Sequence, residues 1–140
     1  MDIQQPDQHT SGWITSLLRT AREAGVASDA PQLYRDFEDT VDQYIAALGA
    51  EEIDPTPFQQ MFGVVVGEYL RKKLGMEWVI ITDDYGTDLA IWAQAADGTD
   101  VYSCPIVVVG KRFSADYEKG QLESFCAQFL LVSTAQLQRT

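Results

Sequence analysis

At Gly75 the hydrophobic period of the chain changes from 3.6 residues to 2, and this switch restricts the fold more than any other feature of the sequence. Before it, the run MFGVVVGEYLRKKL places Phe62, Val64, Val65, Val66, Tyr69, Leu70 and Leu74 around most of a helical circumference. That predicts a central helix packed on more than one side. Arg71, Lys72 and Lys73 sit where a helix C-terminus favours cations, and Gly75 stops the helix. After the switch, EWVIIT over Glu77 to Thr82 is rich in β-branched and aromatic side chains on both faces, as suits a central strand. DLAIWAQ over Asp88 to Gln94 alternates, and the turn signal AADGTD leads into VYSCP. These three runs predict an antiparallel meander. IVVVGKRF, beyond Pro105, fits a further strand or a short helix, so residues 106–111 stay open between the two.

Two helices precede the central one. Trp13, Ile14, Leu17, Leu18 and Ala21 recur at spacings of three and four, closed by Gly25. In SDAPQLYRDFEDTVDQYIAALG, Asp29 and Gln32 have the spacing of a capping box, and Pro31 suits a first turn. Leu33, Phe37, Val41, Tyr44, Ile45 and Leu48 then form one stripe that ends at Gly49, and Arg35, Asp36, Glu38, Asp39 and Asp42 form the solvated face. Thr56, Pro57 and Gln59 read as N-cap, first turn and capping box of the central helix. Leu122, Phe125, Cys126, Phe129, Leu130 and Leu137 restore helical spacing in the last third, in a helix that covers one face of the sheet. The expected class is therefore α+β: N-terminal helices, an antiparallel meander of three or four strands, and a C-terminal helix packed on the sheet. Residues 1–11 lack periodicity and read as a flexible tail, leaving 12–140 as a single domain. At 140 residues the chain is long enough to hide roughly two-thirds of its unfolded surface around one core.

Gly63 and Gly67 make a GxxxG pair on the central helix. Glycine costs about 1 kcal/mol per helical site relative to alanine, so a close approach by another element of the chain is expected there. A dimer contact is the alternative.

Twenty-one acidic against 10 basic side chains leave a formal charge of -11, which repels phosphate backbones and anionic lipid. Nucleic acid and membrane surfaces are therefore excluded as partners; the charge serves solubility or attracts a basic protein, and charge alone does not separate the two. The two cysteines, Cys104 and Cys126, have no zinc-site spacing and sit in apolar settings as small core residues. No N-terminal stretch has a basic flank followed by an apolar run, and no apolar run approaches the ~20 residues of a bilayer span, so the cytoplasm is the expected compartment.

The chemistry-bearing candidates are few. TDDYGTD departs from a calcium loop, because its glycine comes fourth and the twelfth position counted from Asp83 is Gln94. A hairpin turn with Gly86 at positive φ, and aspartates accepting from backbone N–H groups, explains the same residues without a metal. A weak divalent-ion site at Asp83, Asp84 and Asp88 is the competing reading. Glu68 stands on an otherwise apolar helix, either paired with Lys72 four residues on or held by Arg112. His9 is the single histidine and lies in the expected tail, so no Ser-His-Asp or Cys-His arrangement is assembled, and no nucleotide-binding loop or cofactor motif is present. Carboxylate-only chemistry stays open, with no pair singled out for it.

From the central helix through the meander, Gly67, Glu68, Leu74, Gly75, Trp78, Asp84, Tyr85, Gly86, Pro105, Lys111 and Arg112 follow an order that resembles a small bacterial family known as domain of unknown function 3806. The resemblance covers roughly residues 58–113. It implies an α+β fold and supplies no mechanism. The expected function is a non-enzymatic module that binds a basic protein, as a monomer or a homodimer. The alternative is a small ligand-binding domain or carboxylate-dependent hydrolase. Its cleft between meander and helices would draw on Glu68, Asp84, Tyr85, Asp88, Lys111 and Arg112.

Overall fold

A computed structural model describes residues 1–47 and 53–138. Along the chain run β1 (Asp2–Gln4), α1 (Gln8–Glu23), α2 (Gln32–Ala47), α3 (Thr56–Leu74), β2 (Glu77–Asp83), β3 (Gly86–Gln94), β4 (Asp100–Ser103), α4 (Pro105–Arg112) and α5 (Gln121–Leu137). The fold is α+β, with one antiparallel sheet in the order β1-β2-β3-β4.

The fourth strand comes from the N-terminus. Residues 1–11, expected as a loose tail, instead form β1 and open α1. Ile3 lies opposite Ile81, and the Asp7 carboxylate accepts the Thr10 N–H at 2.8 Å as the N-cap of α1. A three-residue strand has too little pattern to be read locally; its partner on β2 lies more than seventy residues away. Residues 106–111, left open between strand and helix, belong to α4.

Both capping-box readings are corrected. Gln32 turns forward to donate to Asp36 at 2.8 Å, while the Asp29 carboxylate accepts the Ala30 N–H. At α3 the N-cap position is Pro55, Asp54 accepts the Thr56 N–H at 3.0 Å, and Gln59 reaches the Gly110 carbonyl instead of its own helix end. Gly75 ends α3 in the left-handed conformation, φ 66°, and Gly25 follows α1 at φ 81°, both as the sequence requires. Leu48 and Gly49 lie outside the described residues.

The core forms where α2, α3, α4, α5 and one face of the sheet meet. Leu33, Phe37 and Val41 of α2 are wholly buried against Phe62, Val66 and Leu70 of α3, Ile91 of β3, Val109 of α4, and Leu122 and Cys126 of α5. Phe37 is the centre, with Phe62, Phe113 and Tyr117 edge-on at ring separations of 5.4, 5.9 and 5.4 Å. Residues 62–67 of α3 are all buried, because α1, α4, α5 and β3 pack around this helix. A smaller cluster of Val79, Ile81 and Ala90 with Ile3, Trp92 and Cys104 occupies the other face of the sheet.

The glycine pair is explained within the chain. A Cβ at Gly63 would stand 2.6 Å from the Cα of Ile106, and one at Gly67 would collide with the Trp78 ring and lie 2.7 Å from Cγ of Pro105. The two missing side chains form the groove into which α4 settles, so this face of α3 is filled.

Candidate functional site

The six residues singled out from the sequence fall in three places. Asp84, Tyr85 and Asp88 stand at the β2–β3 hairpin tip, Glu68 lies where α3 meets β2, and Lys111 and Arg112 end α4.

At the hairpin, Asp83 pairs with Gly86, which leaves a two-residue turn of Asp84 and Tyr85. The Asp83 carboxylate accepts the Tyr85 N–H at 2.8 Å, the Thr82 and Thr87 hydroxyls meet at 3.0 Å, and Gly86 takes φ 134°. These are the contacts of a turn. Tyr85 projects almost fully into solvent, at 98% exposure. Among the described residues no three His, Cys, Asp or Glu side chains converge to hold a metal ion.

Glu68 is a structural tie. Its carboxylate takes a two-point hydrogen bond from Arg71, Nε at 2.6 Å and Nη2 at 2.9 Å, and a third from the Trp78 indole N–H at 3.0 Å. Lys72 stands at 3.9 Å. The main partner is thus the cation three residues on; Lys72 is secondary and Arg112 takes no part. Arg71 and Lys72 share the helix face of Glu68, and only Arg71 also reaches the Met76 carbonyl, at 3.4 Å. The Arg71 hydrogen bonds hold the Glu68 carboxyl below its ordinary pKa, with help from Trp78 and against the opposing effect of burial. A low-pKa carboxylate with both oxygens engaged is a poor proton acceptor.

A cavity of about 300 Å³ beside Glu68 is lined by Ile14, Leu18, Arg71 and Trp78. A second, of about 680 Å³, lies at Lys111 and Arg112, with Lys119, Ser124, Phe125 and Gln128. Neither of these two includes Asp84, Tyr85 or Asp88, and neither brings Glu68 together with Lys111 and Arg112.

Two acids read as solvated work inside the fold. Asp36 accepts the Ala27 N–H at 2.7 Å, and Glu38 Oε2 accepts both the Tyr117 hydroxyl at 2.8 Å and the Gly120 N–H at 2.7 Å. Burial first, and the adjacent Glu38 carboxylate second, push the Tyr117 phenol far above its usual pKa. Glu38 and Tyr117 are 79 residues apart, and nothing local in the sequence pairs them.

Acids occur throughout the fold, but the cations are kept off the sheet. No lysine or arginine occurs between Lys73 and Lys111, a span that includes β2, β3 and β4. Asp2 on β1, Glu77 and Asp83 on β2, Asp88 on β3 and Asp100 on β4 are all exposed, as are Asp84 and Asp97 in the turns. The cations of the described residues stand on the helices and on the α4–α5 connection. Two aromatic groups accompany the sheet acids: Trp92 donates its indole N–H to Asp100 at 3.0 Å, and Tyr102, its cross-strand partner, is 42% exposed.

Among the described residues no helix is long and apolar enough to cross a membrane. A family model described as Domain of unknown function (DUF3806) matches residues 38–125. The match begins at Glu38 and ends at Phe125, so it includes both partners of the Glu38–Tyr117 tie, which a resemblance confined to residues 58–113 leaves out. No curated protein and no solved structure matches the chain.

Proposed function

The chain belongs to the DUF3806 family, a domain of unknown function, and from this premise we propose a role read from its surface: an intracellular, non-enzymatic module that binds a basic protein through its acidic sheet. The observation that carries this reading is the absence of cations from the sheet, whose exposed charged side chains are all carboxylates, beside a helical layer of mixed charge that holds the lysines and arginines. Like charges gathered on one side create a potential that steers a basic partner and orients it during approach. Trp92 and Tyr102 add aromatic surface on which arginine or lysine side chains pack favourably. The acidic face of α2, the obvious docking surface from the sequence, is less suited to this role, since Asp36 and Glu38 are already engaged.

Two triple variants with the same change in net charge test the proposal. Glu77→Lys, Asp84→Lys and Asp88→Lys reverse the sheet, whereas Glu23→Lys, Asp39→Lys and Asp116→Lys alter exposed acids on the helical side. Capture from a lysate of the source organism, at low and at high salt, is read by mass spectrometry. The expected result is one basic protein that is retained at low salt, released at high salt, lost with the sheet variant and kept with the helical one. Equal retention by both variants would sink the proposal.

A further inference from the structure

The 680 Å³ cavity between the end of α4 and the start of α5 runs against the electrostatics of the molecule. In a chain with twice as many acids as bases, Lys111, Arg112 and Lys119 converge on one opening, with Glu118 as the carboxylate on its rim. Arg112 is held in place from within: Nη1 donates to the Val108 carbonyl at 3.0 Å, and the guanidinium lies 4.6 Å over the Phe125 ring. Among the described residues no carboxylate comes within ion-pair distance of it or of Lys111, and Lys119 is loosely placed 3.8 Å from Asp42. Among the described residues Nε and Nη2 of Arg112 therefore remain as donors without a partner.

Ser124 and Gln128 add a hydroxyl and an amide to the same lining, neither with a side-chain hydrogen bond among the described residues. The α5 terminus itself contributes little, because the Gly120 N–H is taken by Glu38 and the Leu122 N–H points to the Tyr117 hydroxyl at 3.4 Å. Recognition here rests on the side chains.

We propose that this cavity binds a small molecule bearing a phosphate dianion. Three cations line the opening against Glu118, with Asp42 3.8 Å from Lys119 and Glu38 on the Gly120 N–H, so Lys111 and Arg112 are the cations left to an anion, and the planar Arg112 fork suits two oxygens of a phosphate monoester. A guanidinium pre-set by a ring stack offers a two-point hydrogen bond with little loss of side-chain freedom. The depression is broad and open to solvent, with room for a small phosphorylated molecule. The site is separate from the acidic sheet, and its test does not depend on the partner-binding proposal.

The experiment is a titration of the ¹⁵N-labelled full chain with inorganic phosphate at constant pH and ionic strength, followed by amide chemical shifts, with succinate in a parallel arm. Saturable shifts are expected at residues 111–112, 119–124 and 128, with affinity on the order of millimolar for the bare ion. Lys111→Gln with Lys119→Gln should weaken binding by about tenfold, the loss of roughly one charge-assisted hydrogen bond, while Lys72→Gln with Lys73→Gln leaves it unchanged. Both pairs are exposed, and the spectra themselves report whether each variant is folded. Shifts that do not saturate, that weaken equally in the two variants, or that succinate reproduces at the same concentration would overturn the proposal.

Discussion

Single carboxylates hold distant parts of this fold together. Glu38 Oε2 accepts from both Tyr117 and the Gly120 amide, so removing it strands two donors in a half-buried place. Glu38→Ala is expected to cost about 2 kcal/mol and Tyr117→Phe about 1 kcal/mol, with the double variant less destabilised than their sum. Urea denaturation of the four proteins measures that coupling; strict additivity would mean that the contact carries no energy. Glu68 gives a pH dependence instead. Its folded-state pKa is depressed, chiefly by the Arg71 hydrogen bonds, so the stabilisation is fully present above the ordinary carboxylate range and is lost as pH falls through the lowered folded value. The stability advantage of the parent protein over Glu68→Gln should therefore shrink as pH falls from about 6 to about 3. A gap that stays constant over this window would show that the ionised form is not what Arg71 and Trp78 hold.

Between elements, the decisive contact is that of α3 with α4. The Cβ missing at Gly63 would press on the backbone of Ile106, and backbone yields less readily than the tip of a side chain. Gly63→Ala is expected to lower stability by about 1–3 kcal/mol, and shortening Ile106 to alanine should not restore it, because the clash is with Cα. Thermal unfolding of the single and double variants decides the matter; full rescue by Ile106→Ala would place the clash in the side chain after all. The same groove explains why residues 106–111 could not be assigned from the sequence. Ile106, Val107, Val108 and Val109 favour a strand by local preference. Pro105 and Ile106 nonetheless fit the space left by two glycines some forty residues earlier, and this packing selects the helix. Where a signal was periodic and long, as in the Leu33, Phe37 and Val41 stripe or the strands on either side of Asp84, the sequence was enough. It was not enough for β1, whose three residues acquire meaning through pairing with β2, nor for the capping boxes, where Gln32 and Gln59 found other partners. The candidate site divides in the same way: the hairpin turn is local and legible, while the Glu38 tie and the Lys119 side of the cavity depend on contacts across the whole chain.

For the molecule as a whole, composition supplies the excess of negative charge but not its location; the strand register shows that the sheet side carries carboxylates without lysine or arginine. Self-repulsion of this kind opposes the compact state. Among the described residues the attractive pairs that salt would also weaken are few: Glu68 with Arg71 is partly shielded from solvent, while Glu68 with Lys72 and Asp42 with Lys119 are long and involve exposed lysines. Raising sodium chloride from about 0.1 M to about 1 M shortens the screening length from ~10 Å to ~3 Å, so repulsion between strands should fade more than attraction does. The melting temperature is then expected to rise, by about 3–5 °C if the relief is about 1 kcal/mol. Reversing Glu77, Asp84 and Asp88 to lysine should stabilise the protein at low salt and flatten that rise, whereas the same number of reversals at Glu23, Asp39 and Asp116, among mixed charges, should do so less. Calorimetry of the three proteins across the salt range separates the possibilities. A melting temperature that falls with salt would mean that attraction between the acidic sheet and the lysines and arginines of the helices outweighs repulsion within the sheet, and the placement of the cations would then be a source of stability.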